Sequence, residues 1–285
     1  MKIITPKFEE GIFKSLMLFA TASVLITLGL ILATIVWRGL PALNFAMLTQ
    51  TPQGGYYLGE EGGILNAIVG SIFLAGGATF LAIILSLPIA LYLQVFLTPS
   101  SRKAYWIRLA LDVLWGVPSI VFGAFGFIIL LWLGVRASLL GGIIALALLE
   151  LPIMVRGMDE AIGMVPSALK EASYSLGITK YETASKIITY QTAPGLMTAV
   201  LLAFGRGIGD AAAVLFTAGY TDRLPDSLFR PAASLPLAVF FQLNTPFPAV
   251  QERAYASAIV LTAIVLVISI LARWLTNRFT AHILH

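Results

Sequence analysis

Within an otherwise uncharged stretch at 187–221, the chain places Gly205-Arg206-Gly207-Ile208-Gly209-Asp210. An arginine at the centre of a bilayer costs about 2.5–3.5 kcal/mol on insertion scales, so it needs a compensating role. Arg206 and Asp210 stand four apart, a spacing that on one helix predicts a shared face and an ion pair. Gly205 and Gly209 allow a neighbouring helix to approach closely. Two readings follow. The pair is structural, or Arg206 offers its planar, permanently charged fork to an oxyanion while Asp210 holds it in the empty state.

Other polar groups are few. Gly116-Val117-Pro118-Ser119-Ile120 interrupts an apolar run where a pathway could open, and Ser119 can donate a hydrogen bond there. Asp112 lies one turn beyond Arg108, at pairing distance on a helix. Glu150 has no cation at helical spacing and is a candidate for gating or inter-helix bonding. Glu60, Glu61, Asp222 and Asp226 read as solvated acids available to a docking partner. Cysteine is absent, and the two histidines, His282 and His285, fall in the last four residues. That excludes a thiolate nucleophile, a Cys-based zinc site and a histidine-based catalytic cluster. No Gly-rich phosphate loop of the Gly-x-x-x-x-Gly-Lys-Ser/Thr type occurs, so the chain is not expected to hydrolyse nucleotides itself; no cofactor or metal is expected.

These residues need elements to hold them. Of 285 residues 59% are hydrophobic and 11% charged, with a mean hydropathy of +0.92. Soluble domains carry about 25% charge, so the composition predicts an all-α, polytopic membrane bundle. Six spans are expected, at 15–37, 64–97, 113–135, 137–155, 187–221 and 254–272. With the N-terminus inside, Arg38, Arg136, Arg223, Arg230 and Arg253 fall outside and Arg206 in the membrane. The rest of the 18 Lys and Arg fall inside. The positive-inside rule then puts both termini in the cytoplasm. The net charge of +4 orients the chain in lipid rather than binding nucleic acid. The first apolar run has no cleavage site after it and reads as a retained span. The whole chain, 1–285, reads as one transmembrane domain with a core at 64–275. An inner loop at 156–188 carries apolar residues at helical spacing. In the outer loop at 220–253, Ala232 to Leu243 is apolar but too short to span.

Glu171-Ala172-Ser173, three residues, Gly177 and then Ile187 resemble the EAA loop of ABC-importer permeases. Ser173 stands for that family's alanine and Thr189-Tyr190 for its Leu-Pro, while Pro194-Gly195 fits. Gly116 to Ile120, Gly205 to Asp210 and Leu215-Phe216-Thr217-Ala218-Gly219 narrow the resemblance to the phosphate-specific permeases of PstA type, with Asp210 for the usual glutamate. The match runs over about 60–275. It implies a type I (MetI-like) importer fold in the bacterial inner membrane and inorganic phosphate as cargo. Glu171, Ala172 and Gly177 would then couple to an ATP-binding cassette dimer, and Arg206, Asp210 and Ser119 would meet the anion. A second, PstC-like permease chain and a periplasmic phosphate-binding protein are implied as partners.

Two other classes share parts of the pattern. Gly207-Ile208-Gly209-Asp210 matches the Gly-x-Gly-Asp signature of intramembrane aspartyl proteases, with Asp112 as the second acid. Arg206 would hold Asp210 ionised, and no Tyr-Asp pair precedes Val113. A proton-coupled anion carrier would use Arg206 but would need no ATPase-facing loop.

Overall fold

The computed structural model describes residues 6–53, 62–98 and 101–280. Lys2, Glu60, Glu61, His282 and His285 lie outside the described residues. In chain order the helices are α1 (Pro6–Gly39), α2 (Phe45–Thr49), α3 (Leu65–Leu91), α4 (Arg102–Trp115), α5 (Ser119–Trp132), α6 (Leu139–Gly163), α7 (Ser167–Ser175), α8 (Lys180–Glu182), α9 (Thr189–Gln191), α10 (Ala193–Ile208), α11 (Leu235–Leu243) and α12 (Pro248–Thr280). π-helical turns at Tyr92–Phe96 and Thr183–Ile188 close α3 and lead into α9. No strand occurs among the described residues.

Four helices are long and apolar enough to cross a membrane alone, and six spans result if each bent pair counts as one. The bent pairs depart from the sequence expectation. The third span does not run unbroken from Val113. α4 and α5 meet at 99° across Gly116-Val117-Pro118. Pro118 excludes its predecessor from the helical region, and α5 restarts at Ser119. The fifth span is likewise interrupted. The Lys180–Gln191 segment meets α10 at 76°, and α10 stops at Ile208. With Gly205 and Gly207 in its last turn and Gly209 just after it, the least favourable residue short of proline ends the helix there. By contrast, α6 runs eight residues past the expected Val155 and carries Arg156 and Asp159 on its last turns.

α3, α6 and α10 form the centre. α3 and α6 run side by side in the same direction, with Leu74 against Gly142 and Ile143 against Gly77. α6 and α10 run antiparallel along a seam of small residues. A Cβ on Gly195 would stand 2.6 Å from Cβ of Ala161, and one on Gly157 would stand 2.8 Å from Cβ of Ala199. Side chains that small bring the two backbones close. Buried Met154, Met158, Ile162, Ile188 and Ala203 complete the core at the α7 end.

The opposite end is closed by the 220–243 segment. Leu139 and Leu140 donate their amides to Arg230 and Leu228 carbonyls, each at 2.8 Å, and Ser138 donates to Thr217 at 2.8 Å. These bonds satisfy amides that the first turn of α6 leaves without partners. α11, within the apolar stretch too short to span, starts at Leu235, whose amide donates to Ser71 on α3 at 2.8 Å. α1 is exposed along most of its length and lies against α12, where Arg38 sits over the Tyr255 ring at 5.5 Å.

Candidate functional site

Arg206 occupies the last turn of α10, and its side chain is exposed. Among the described residues no hydrogen bond or ion pair engages it. The expected Arg206–Asp210 pair is therefore absent. The reason is local: α10 ends before residue 210, so spacing of four no longer means one face. Asp210 turns back on its own segment and accepts the Ala213 amide at 2.8 Å. This is the short-range capping bond that aspartate makes in turns. Asp210 also lines a small cavity with Ser71, Leu74, Leu146, Gly207 and Ser234.

The exposed positions of α10 form a stripe, Thr198, Leu202, Gly205 and Arg206, continued by Gly209. The opposite face is buried against α6 and ends at Gly207. There the structure shows a residue to which the sequence assigned no partner. Glu150 on α6 is fully buried, and Oε2 accepts the Thr79 hydroxyl of α3 at 2.8 Å. Its Oε1 has no hydrogen-bond partner among the described residues and occupies the space a Cβ at Gly207 would need. The signal in the sequence was a lone acid inside an apolar run; the missing fact was that Gly207 lies opposite it.

Ser119 is half-buried at the first position of α5. One turn on, a Cβ at Gly123 would stand 2.7 Å from the Ala212 carbonyl, and one at Gly126 would stand 3.2 Å from Thr217 Cγ2. α5 thus runs along 212–217, with Ser119 at its start one turn before Gly123.

The two-carboxylate arrangement of an aspartyl protease is not formed. Asp112 pairs with Arg156, while Asp210 lies by Leu146. Those positions on α6 are about 15 Å apart at 1.5 Å per residue. Nor does Arg108 pair with Asp112. It turns to α6 and donates from Nε and Nη2 to both oxygens of Asp159, at 2.7 and 3.0 Å.

At the α7 end, Glu171 and Ala172 are exposed and Ser173 is buried, its hydroxyl donating to Leu169 at 2.9 Å. Gly177 adopts φ +78°, where glycine has no steric penalty. Its amide donates to Tyr174 at 3.0 Å and that of Ile178 to Ser173 at 3.2 Å, which ends α7 in a Schellman turn. Leu176, 80% exposed, projects from this turn. α8 then begins with a reciprocal Thr179–Glu182 cap. The Thr179 hydroxyl and amide, and then Lys186, hold the Glu182 carboxyl below the ordinary glutamate range. The result is a helix, a sharp turn and a second helix in the segment that resembles the EAA loop. Among the described residues no group of acids and histidines could hold a metal ion.

The family profile for binding-protein-dependent transport system inner membrane components matches residues 86–284. The phosphate transport system permease protein PstA of Xylella fastidiosa is 32% identical, covering 86% of this chain and 84% of its own. PstA 1 of Mycobacterium tuberculosis is 37% identical over 77% of this chain and 72% of its own. The probable ABC transporter permease protein YqgI of Bacillus subtilis is 32% identical over 95% of both chains. Among solved structures, the inward-facing MetNI methionine ABC transporter superposes with a TM-score of 0.62 at 16% identity. That alignment covers 76% of this chain and 95% of the other, and the likeness is one of fold.

Proposed function

The chain belongs to the family of binding-protein-dependent transport system inner membrane components, and we propose that it is the permease subunit of an ATP-driven importer for inorganic phosphate. The observation that carries this reading is an arginine with no hydrogen bond or ion pair among the described residues, on the open face of α10, in a chain 32–37% identical to phosphate permeases over most of its length. Membership of the family makes it a multi-pass membrane component that works with an ATPase and a substrate-binding protein. The finer assignments are ours: a PstC-like second permease chain, an ATP-binding cassette dimer and a periplasmic phosphate-binding protein, with both termini cytoplasmic.

The residues divide the work. The stripe of Leu202, Gly205, Arg206 and Gly209 faces the second permease chain, and its glycines let that chain come close. Arg206 lies in this seam and meets phosphate oxygens with two parallel donors. Asp210 holds the turn after α10 through Ala213, so the end of α10 is fixed when the anion passes. Ser119, at the start of α5, supplies a hydroxyl. Outside, the loop 220–253 with α11 receives the loaded binding protein. Inside, Glu171, Ala172 and the Gly177 turn fit the ATPase groove. Closure of the ATPase dimer draws the inner coupling loops together and opens the spans toward the binding protein; reopening of the dimer returns them inward-facing, and the anion is released unchanged.

The test is Arg206→Gln in the reconstituted complex. Phosphate uptake is expected to fall to background while both permease chains still co-purify with the ATPase. Undiminished uptake would remove Arg206 from the pathway. Uptake that survives ATP depletion on a maintained proton gradient would instead favour a secondary carrier.

A further inference from the structure

Asp159, on the last turns of α6, is 2% exposed and collects more polar contacts than any acid among the described residues. Arg108 of α4 grips both of its oxygens at 2.7 and 3.0 Å. Gln94, in the π-helical turn that closes α3, donates to its Oδ1 at 2.7 Å and to its backbone carbonyl at 3.1 Å. Arg156 lies 3.6 Å from Oδ2 and reaches Asp112 of α4 at 2.9 Å. The Lys170 ammonium, on α7 beside Glu171, donates to the Gln94 backbone carbonyl at 3.1 Å. Burial pushes the Lys170 pKa down from the ordinary lysine value.

These bonds make one connected chain across four elements. It begins on the helix that carries the ATPase-facing loop, passes the end of α3, and converges on α6. It leaves through two arginine–aspartate bridges to α4. α4 leads over the Gly116–Pro118 bend into α5, and α5 packs along 212–217, the stretch that follows the Arg206 turn in the chain. A buried carboxylate held by two arginines and an amide is strongly tied to one arrangement, because losing an arginine weakens the compensation of a charge that is itself almost wholly out of water. The π-helical turn at Gln94 is the form in which an irregular helix end is commonly kept for function.

Resting on the importer reading, we propose that Asp159 is the junction through which movement of the ATPase-gripped α7 is handed to α4, and so to the α5 wall of the phosphate passage. Asp159, Gln94, Arg108 and Lys170 are positioning residues in this device; none touches the anion.

The experiment uses the complete complex of both permease chains, ATPase dimer and binding protein in proteoliposomes. Because the chain has no cysteine, spin labels can be placed at introduced cysteines, Trp106→Cys on α4 and Leu228→Cys at the opposite end. In the otherwise unaltered chain the label distance is expected to shift when ATP binds. In Lys170→Met, and in Arg108→Gln, the shift is expected to shrink while the complex still co-purifies. Phosphate imported per ATP hydrolysed should fall about two- to thirtyfold, the range typical of mutations along coupling networks. Lys170→Arg, which keeps charge and donors, should restore the shift. The double variant should be no worse than the worse single, since both cut one chain.

An ATP-driven shift that is absent in the unaltered chain, or equal in it and assembled Lys170→Met, overturns the proposal. So does a double variant whose losses multiply. If Arg108→Gln does not assemble, the half-buried Lys170→Met variant decides alone. A complex whose label moves as expected but imports no phosphate refutes the substrate reading and leaves this linkage standing.

Discussion

The carboxyl group of Glu150 on α6 stands in the space that a side chain at residue 207 on α10 would fill. The small-residue seam of α6 and α10 ends there with the pattern inverted, a long acid facing a glycine. Thr79 holds one oxygen from the α3 side, so the carboxyl cannot swing away without losing that bond. The turn that presents Arg206 outward is therefore propped from behind by Glu150. Gly207→Ala should cost about 1–3 kcal/mol of stability, the usual penalty for over-packing a fitted core. Adding Glu150→Ala should recover part of that loss, because it vacates the contested volume. Unfolding of the detergent-solubilised complex, read as a double-mutant cycle, checks this; strictly additive losses would show that the two positions do not meet.

Arg206→Lys separates charge from geometry. Lysine keeps the positive charge but gives a point donor in place of a planar fork. If the arginine meets phosphate with two parallel bonds, the lysine variant should retain measurable uptake, below the parent and above Arg206→Gln. The ratio of initial uptake rates in the three complexes is the measurement. Equal rates for Arg206→Lys and the parent would mean that charge alone is used.

Composition alone made the helical bundle legible, because 11% charge leaves almost nothing with which to dissolve the surface. The Gly177 turn was legible too, since a glycine that ends a helix is a local device. Pairings across the molecule were not. Arg108 and Asp112 satisfied the spacing rule for a helical pair, yet each found a better partner on α6. That rule offers only a few tenths of a kcal/mol at a surface, and a buried carboxylate such as Asp159 outbids it. Arg206 and Asp210 failed the same rule for another reason, the early stop of α10 in a glycine-rich turn. Glu150 stood out as an acid without a partner, but its partner is the absence of a side chain at Gly207, which no spacing reveals.

The cap of α8 is a pH-sensitive contact with a defined direction. Glu182 has a folded pKa below its unfolded value, which is about 4.3. Its contribution is therefore fully present above the unfolded value and is lost as pH falls through the depressed one. Amide exchange at Ala184 and Ser185, in the π-helical turn that follows, should be pH-independent in its protection near neutrality and lose protection in acid. Glu182→Gln should remove that acid dependence. Protection that rises on acidification would contradict the sign.

Gly177→Val probes the coupling loop through backbone conformation alone. At φ +78° a valine pays the left-handed penalty of roughly 1–2 kcal/mol, aggravated by branching at Cβ. A Cβ there meets nothing within 4 Å, so no clash inside the chain confuses the result. The expected response is a frayed end of α7 and a displaced Leu176, with the fold of the spans unchanged. ATP hydrolysis by the partner should continue while phosphate transport falls. Gly177→Asn, which tolerates positive φ, should lose less. Measured as phosphate imported per ATP, parent-level coupling in Gly177→Val would show that the sharp turn is not what the ATPase grips.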